Sequence, residues 1–358
     1  LLTQVYAGTS VWSLNFSPDG NYLVSGMVDG GPRLWRIQSS GSQLEVVRDG
    51  FEIGSTVRSV DFTKDQTHLM VASEEDKKIR LWDSKSVFGY EYVSFPEDCT
   101  KVDSKGFLAV NRASGESIVL RDFPWGSIRT TFGGPPRSVR VTAISKSNRW
   151  LASYANDNVV LLWDLQTGTV RQQFTLVDAL DSGSPDNVQL EFSLDEQLLA
   201  ASGLLGSSSK NNSVRIWNVS DGSLLRDLRF DAPHRASIGF SLASDRIAVG
   251  TKSRFFISPL DANSQPSEPI ATQGAIWHIE FLSDGKQLAT CGDSLGVAVW
   301  NAETLQRQSQ FSRQRTSIAC FALSPDGQTL AAAGTDQQVQ LWHFPSGQLL
   351  CTLLHHSR

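Results

Sequence analysis

Ten side chains suited to directional binding recur at one place in the pattern of this 358-residue chain: Trp12, Arg58, Arg137, Arg140, His234, Arg235, Trp277, His278, Arg313 and Arg315. Each falls just before, or at the start of, a short alternating run that reads as an extended strand. A guanidinium offers a planar fork of donors that fits a carboxylate or a phosphate, and an indole buries a large apolar face with one N–H to place. Arg and Trp are also the residues that dominate interface hot spots. The chemistry on offer is recognition of an acidic peptide, a phosphorylated segment or a partner domain. The candidate partner-binding residues are Trp12, Arg58, Arg137, Arg140, His234, Arg235, Trp277 and Arg315. A second reading stands beside this one: Trp12 and Trp277, equivalent in register, pack between neighbouring sheets, and the arginines are solvated edges.

Reaction chemistry has no comparable pattern. H-E-x-x-H, G-x-G-x-x-G and the phosphate-loop G-x-x-x-x-G-K-[ST] do not occur. Asp19, Asp65, Asp195, Asp284 and Asp326 fall at equivalent hairpin positions, where turn formation accounts for them. The four cysteines, Cys99, Cys291, Cys320 and Cys351, show no C-x-x-C spacing and lie at or near strand positions, so reduced buried thiols are expected rather than a disulfide framework or a zinc site. No catalytic residue, cofactor site or metal site is assigned.

The elements that position these residues show themselves in the last complete stretch, Thr316 to Leu354. Three turn signals, Ser324-Pro325-Asp326-Gly327, Gly334-Thr335-Asp336-Gln337 and Pro345-Ser346-Gly347, split it into four alternating runs, the pattern of a four-stranded antiparallel meander. One such sheet cannot cover its own apolar faces, and the pattern recurs. An aliphatic residue followed by small ones marks the second strand at Leu23, Leu69, Leu108, Leu151, Leu199, Ile247, Leu288 and Leu330, at intervals of 46, 39, 43, 48, 48, 41 and 42 residues. A Trp usually closes the third strand, as at Trp35, Trp82, Trp163, Trp217, Trp300 and Trp342. Two repeats carry Leu120-Arg121-Asp122 and Ile257-Ser258-Pro259 instead.

At these residues the chain resembles the WD40-repeat family. The dipeptide that names the family stands at Trp82-Asp83 and Trp163-Asp164 and is varied at the other tryptophans. The resemblance implies an all-β fold, an eight-bladed β-propeller of four-stranded antiparallel blades, with a seven-bladed ring and one displaced repeat as the alternative. It implies one domain over residues 1–358. In the family, a third-strand Trp, a second-strand Ser or Thr, a turn Asp and the His of a Gly-His pair bond together within a blade. By position the first three are Ser25, Asp29 and Trp35 in the first blade and Thr290, Asp293 and Trp300 in the seventh. No Gly-His pair occurs, so the full network is not expected. The Ser-Pro-Asp-Gly hairpins at Ser17 and Ser324 look more like bacterial WD40 arrays than animal ones.

Taken in order, the third repeat, Cys99 to Phe132, reads as eroded, with a shortened first strand and the hairpin Asp103 to Gly106. The connection Leu176 to Asn187 is long, and the fifth repeat inserts Leu204 to Asn212, rich in Ser, Gly and Asn. The sixth ends in a Pro-rich turn, Asn263 to Pro269. Leu1 to Tyr6 aligns with a fourth strand, a slot that Gln348 to Leu354 also fits; the expectation is a propeller excised from a longer chain and closed by pairing of its two ends.

A net charge of −5 argues against general nucleic-acid binding. No apolar run reaches the ~18 residues of a membrane span, and no leader pattern opens the chain, so the expectation is a cytoplasmic protein with no membrane partner. The function expected is a non-enzymatic scaffold or sensor module. It recognises a protein, an acidic peptide or another domain of its own full-length chain through the loop face that bears the insertions at 176–187 and 204–212. Drift in tolerant surface loops is the plain alternative for those insertions. The alternative function is a propeller enzyme or small-ligand binder using the central channel, for which only His234 and His278 could begin a converging set.

Overall fold

A computed structural model describes residues 10–28, 31–37, 44–48, 56–62, 68–73, 79–83, 98–103, 108–113, 117–122, 128–133, 139–147, 149–155, 159–176, 188–204, 212–230, 236–261, 263–293, 296–311, 317–335 and 338–354. These form strands and turns, and among them no helix is long and apolar enough to cross a membrane. The chain divides into two compact units. One comprises residues 1–114, 119–130 and 310–358, and the other residues 115–118 and 131–309.

Within the first unit, β1 (Val11–Phe16), β2 (Tyr22–Met27), β3 (Arg33–Ile37) and β4 (Leu44–Arg48) pair in sequence order. A three-stranded sheet follows, β5 (Val57–Phe62), β6 (His68–Ser73) and β7 (Ile79–Asp83). Next come β8 (Asp98–Asp103), β9 (Leu108–Ala113), β10 (Ser117–Asp122) and β11 (Ile128–Gly133), which fall mainly in this unit. The first strand of this third sheet is not shortened: β8 runs six residues, because ladder pairing uses backbone groups and tolerates the polar residues that hid it in the sequence.

The second unit holds three four-stranded meanders and most of a fourth. The first has β12 (Val139–Ile144), β13 (Trp150–Ala155), β14 (Val159–Asp164) and β15 (Thr169–Thr175). The second has β16 (Gln189–Phe192), β17 (Leu198–Leu204), β18 (Asn212–Asn218) and β19 (Leu224–Phe230). The third has β20 (Ser237–Phe240), β21 (Arg246–Gly250), β22 (Arg254–Pro259) and β23 (Ile270–Ala271). The fourth has β24 (Ile276–Phe281), β25 (Gln287–Gly292), β26 (Gly296–Asn301) and β27 (Arg307–Phe311). The last sheet, in the first unit, is β28 (Ile318–Leu323), β29 (Thr329–Gly334), β30 (Gln338–His343) and β31 (Gln348–Leu354). Eight antiparallel sheets among the described residues are consistent with eight blades. The fourth-strand slot beside β30 is taken by β31, and residues 1–9 lie outside the described set.

The second strands read as continuous buried runs because both faces of each meander are covered by neighbours. Leu23, Val24, Leu151, Ala152, Leu199, Ala200, Leu288 and Leu330 are all fully buried. Their small residues leave room for the next sheet. Third-strand tryptophans fill the remaining gaps, from Trp35 at 0% exposed to Trp300 at 7%. First strands of neighbouring sheets are also laced by polar contacts. The Val60 N–H donates to Ser13 Oγ at 3.2 Å, Asn15 Nδ2 donates to Asp61 Oδ1 at 2.7 Å, and the Phe240 N–H donates to Glu191 Oε1 at 3.2 Å. The fourth strand β23 has only two residues because Pro266 and Pro269 lack N–H donors. Ser267 bridges the gap by accepting from the Ile257 N–H on its hydroxyl, 3.0 Å, and donating its own N–H to the Ile257 carbonyl, 2.8 Å.

Hairpins between first and second strands repeat one arrangement. Ser324 Oγ donates to Asp326 Oδ1 at 2.5 Å, and that carboxylate also accepts the Gln328 N–H at 3.0 Å. Ser17 with Asp19 and Ser193 with Asp195 repeat it. The Ser324 hydroxyl and the Gln328 N–H hold the Asp326 carboxyl below its ordinary value of 3.8. The hairpin aspartates that are described thus serve turns, as their spacing implied; Asp65 lies outside the described residues.

Candidate partner-binding site

The second or third residue of the first strand is where six of the sheets depart from regular pairing. In β1, Val11 pairs with Met27 and Ser13 with Gly26, which leaves Trp12 as an extra residue. The same shift leaves out Arg58 in β5, Thr100 in β8, Arg140 in β12, Trp277 in β24 and Ala319 in β28. A bulge of this kind bends the strand and re-aims one side chain without breaking the sheet. Two of the extra residues, Trp12 and Trp277, are 39% and 38% exposed. Six other tryptophans of the chain, on third strands, are nearly or fully buried, so the bulge converts a core residue type into a surface one. Of the two sequence readings, packing between sheets does not hide these indoles.

Glycine on the second strand makes the irregularity possible in two sheets. A Cβ on Gly292 would stand 1.7 Å from the Ala275 carbonyl oxygen, and one on Gly334 would stand 1.9 Å from that of Ser317. Those carbonyls accept the Asp293 and Thr335 N–H groups at 2.9 and 3.1 Å, which closes the ladder above the bulge.

The sequence-derived residues divide as follows. Trp12 and Trp277 stand at equivalent bulges, one in each unit, and Arg58 and Arg140 are placed by their backbone at the same register. His278, next to Trp277, lies 3.3 Å from Glu280 through Nε2 and Oε2. Arg137, His234, Arg235, Arg313 and Arg315 lie outside the described residues, as do 177–187 and 205–211, the bulk of both insertions. Thr100 and Ala319 share the bulged register and were not singled out from sequence, because neither side chain suggests chemistry.

The Trp–hydroxyl bond expected inside the blades is present in part. Trp300 Nε1 donates to Thr290 Oγ1 at 2.9 Å, and Trp163 Nε1 donates to Ser153 Oγ at 2.8 Å. In the first sheet Trp35 Nε1 and Ser25 Oγ are both buried with no hydrogen-bond partner, so there the expected bond is not made. In the last sheet Trp342 Nε1 is likewise unsatisfied, because Ala332 occupies the position of the hydroxyl.

Gly292-Asp293-Ser294-Leu295-Gly296 fits the lettering G-x-S-x-G, against the expectation that no such motif occurs in the chain. Its flanks, β25 and β26, are paired antiparallel strands. A nucleophile elbow needs a strand-to-helix turn, and this context does not supply one. Among the described residues no three His, Cys, Asp or Glu side chains converge as metal ligands. Cys320 and Cys351 have their thiol pKa pushed up to about 12 by burial, which removes the reactive thiolate at neutral pH.

The family model described as WD domain, G-beta repeat matches residues 2–36, 50–83, 126–164 and 305–343. Target of rapamycin complex subunit wat1 of Schizosaccharomyces pombe is 27% identical over 262 residues, which cover 69% of this chain and 78% of that protein. Periodic tryptophan protein 2 homolog of Dictyostelium discoideum is 24% identical over 92% of this chain, and apoptotic protease-activating factor 1 of Rattus norvegicus is 22% identical over 98%. The matched stretch spans 33% and 27% of those two proteins. Among solved structures, Sqt1 from Chaetomium thermophilum, bound to the N-terminus of the ribosomal protein L10, superposes with a TM-score of 0.76 at 14% identity. The match covers 96% of this chain and 99% of Sqt1, a likeness of fold.

Proposed function

This chain belongs to the WD40-repeat proteins and is built of β-propeller blades, and from that premise we propose that it is a non-enzymatic interaction module. It recognises a protein partner or acidic peptide, or another segment of a longer chain of its own, through the sheet ends where the first strands are bulged. The observation that carries this reading is the recurrence of the bulge beneath Trp12, Arg58, Arg140 and Trp277, with both indoles more than a third exposed. Trp and Arg recurring at one register supply directional contacts and a large apolar area, the composition of interface hot spots. The complex of Sqt1 with the N-terminus of a ribosomal protein supports the class of partner. The cytoplasm is the compartment that fits the reading, and the free thiols of Cys291, Cys320 and Cys351 suit a reducing one. The relatives named above are eukaryotic and lend the bacterial likeness of the hairpins no support.

The test is retention of a bound protein by the purified chain, compared with variants at this end. W12A with W277A, and separately Arg58, Arg137, Arg235 and Arg315 each changed to Glu, should weaken retention by about tenfold or more, the scale of hot-spot loss. Retention unchanged in both sets would place the partner elsewhere.

A further inference from the structure

The hairpins that join β16 to β17 (residues 193–197) and β20 to β21 (residues 241–245) lie at the opposite end of their sheets from the first-strand starts. They depart from the other described hairpins of this kind at the same two places: an exposed leucine stands second, and a residue other than glycine stands fourth, in the left-handed conformation. We propose that the rim formed by these two hairpins is a second docking surface, for a basic amphipathic segment of a protein partner. The proposal goes beyond the function proposed above and uses none of the same residues.

Backbone strain marks the pair first. Gly20, Gly285 and Gly327 take the fourth position of their hairpins at φ +72°, +65° and +68°, and the corresponding residues here are Glu196 at +61° and Ser244 at +57°. That conformation is disfavoured for any residue with a Cβ. Each of the two side chains binds the hairpin before its own. The Glu196 carboxylate accepts the Ser147 hydroxyl at 2.6 Å and the Ser147 N–H, and the Asp195 N–H donates to Ser244 Oγ at 3.5 Å. Gln189 Nε2 donates to the Ile238 carbonyl at 3.1 Å and sets the first strands of the two sheets side by side. The strain is thus exchanged for bonds that hold the two hairpins to each other and to the one that carries Ser147.

The apolar character comes from the second position. Leu194 is 43% exposed and Leu242 41%. Pro18, Lys146, Ser283 and Pro325 occupy that position in other hairpins, so the turn itself does not ask for leucine. Leu242 Cδ1 lies 3.8 Å from where a Cβ on Gly285 would stand, and Pro325 Cδ lies 3.7 Å from the same point on Gly20. The second residue of one hairpin therefore leans on the fourth residue of the next. By that relation Leu194 leans toward Ser244, and the two leucines follow one another along the rim. Exposed apolar side chains at one register of adjoining copies form a patch rather than the single scattered residues of an ordinary surface.

The charge of the patch is one-sided. The two hairpins carry Asp195, Glu196 and Asp245, and one cation, Arg246, follows directly. Arg246 is turned inward: it lies over the Phe281 ring, 5.7 Å from the centroid, and its Nη1 donates to the Ala302 carbonyl at 3.4 Å. Its side chain is 26% exposed, against 60% for that of Asp245, 3.6 Å away. Partial burial by itself raises the Asp195 pKa, but the Ser193 hydroxyl, the Gln197 N–H and the Ser244 hydroxyl together outweigh it and hold the group below 3.8, so this carboxylate is charged at neutral pH. The other cations of the rim, Lys146 and Arg149 on the hairpin before and Lys286 beside Asp284 on the hairpin after, bound the acidic stretch on either side. Two leucines among three carboxylates, closed off by cations at both ends, fit a short segment whose apolar residues stand among lysines or arginines.

The test uses the 358-residue chain and a fluorescein-labelled amphipathic peptide, two leucines flanked by lysines, read by anisotropy. Two control peptides carry serine for leucine or glutamate for lysine. The leucine–lysine peptide should bind, and each control should bind about tenfold more weakly or not at all. L194S with L242S should weaken binding by about tenfold, and E196Q with D245N by roughly fivefold. D221N with E303Q removes as much charge from other turns of the same unit and should leave binding unchanged. R58E with R140E, at the other end of the sheets, should also leave it unchanged, so this surface and the proposed function stand or fall separately. Unaltered thermal melting of each variant confirms its fold, and the peptide controls decide the matter on the unaltered chain should a variant unfold. No binding of the leucine–lysine peptide, equal binding of the serine control, full binding by the L194S L242S variant, or an equal loss in D221N E303Q overturns the proposal.

Discussion

Phe174 near the end of β15 stacks on Trp217 of β18, ring centroids 5.0 Å apart and planes 27° from parallel. The fourth strand of one sheet thereby delivers the ring that covers the third-strand indole of the next. Phe311 and Trp342 repeat the arrangement edge-on at 5.9 Å, and where the third sheet of the second unit lacks a Trp, Phe230 meets Phe256 at 5.7 Å. Removing such a ring opens a cavity between sheets that rigid strands cannot close. F174A should cost about 3–5 kcal/mol and F174L about 1.5 kcal/mol or less, measured by urea unfolding.

Beside that stack, the buried Arg215 ties the same two sheets together. Its Nη1 donates to the Thr175 carbonyl at 2.8 Å and its Nη2 lies 3.5 Å from Asp227. Arg229 also reaches Asp227, at 2.9 Å, from an exposed position. The two arginines differ in what their loss leaves behind. R215A strips the Thr175 carbonyl and a mostly covered carboxylate of a donor from a buried guanidinium and should cost about 3 kcal/mol or more, whereas R229A should cost under ~1 kcal/mol. A smaller loss in R215A than in R229A would refute the assignment.

Two glycines separate crowding from backbone conformation. Gly292 has no room for a methyl group, since the Ala275 oxygen stands where the Cβ would be. Gly327 has nothing within 4 Å of that position but sits at φ +68°. G327A should cost about 1 kcal/mol from the left-handed conformation alone, and G292A should cost more, about 2–3 kcal/mol, because the bulge at Trp277 must shift. The two thermal melts decide the order.

The hairpin carboxylates make stability depend on acid. Asp326 has a folded-state pKa below 3.8, held there by the Ser324 hydroxyl and the Gln328 N–H. Its contribution is present above the unfolded value and disappears as pH falls through the lower folded one. In an NMR titration its midpoint should lie below 3.8, and S324A should move it upward. A midpoint unmoved by S324A would remove the hydroxyl as its cause.

Cys320 and Cys351, with thiols raised to about 12 by burial, should react with a disulfide reagent at pH 8 only as fast as the chain opens. Labelling that outpaces unfolding would show the two thiols to be accessible.

The amino-acid sequence by itself determined the repeat: turn residues at fixed offsets, small residues on every second strand and a Trp on most third strands, because a sheet buried on both faces allows few residue types there. It also marked the strand starts where Trp12, Arg58, Arg140 and Trp277 stand. What it could not carry was the pairing register. A bulge shifts one hydrogen-bonded partner without changing any letter, so the exposure of Trp12 and Trp277 was decided by the tertiary structure. The unmade bond between Ser25 and Trp35 has the same origin, since their spacing equals that of Thr290 and Trp300 and only the packing around each pair differs.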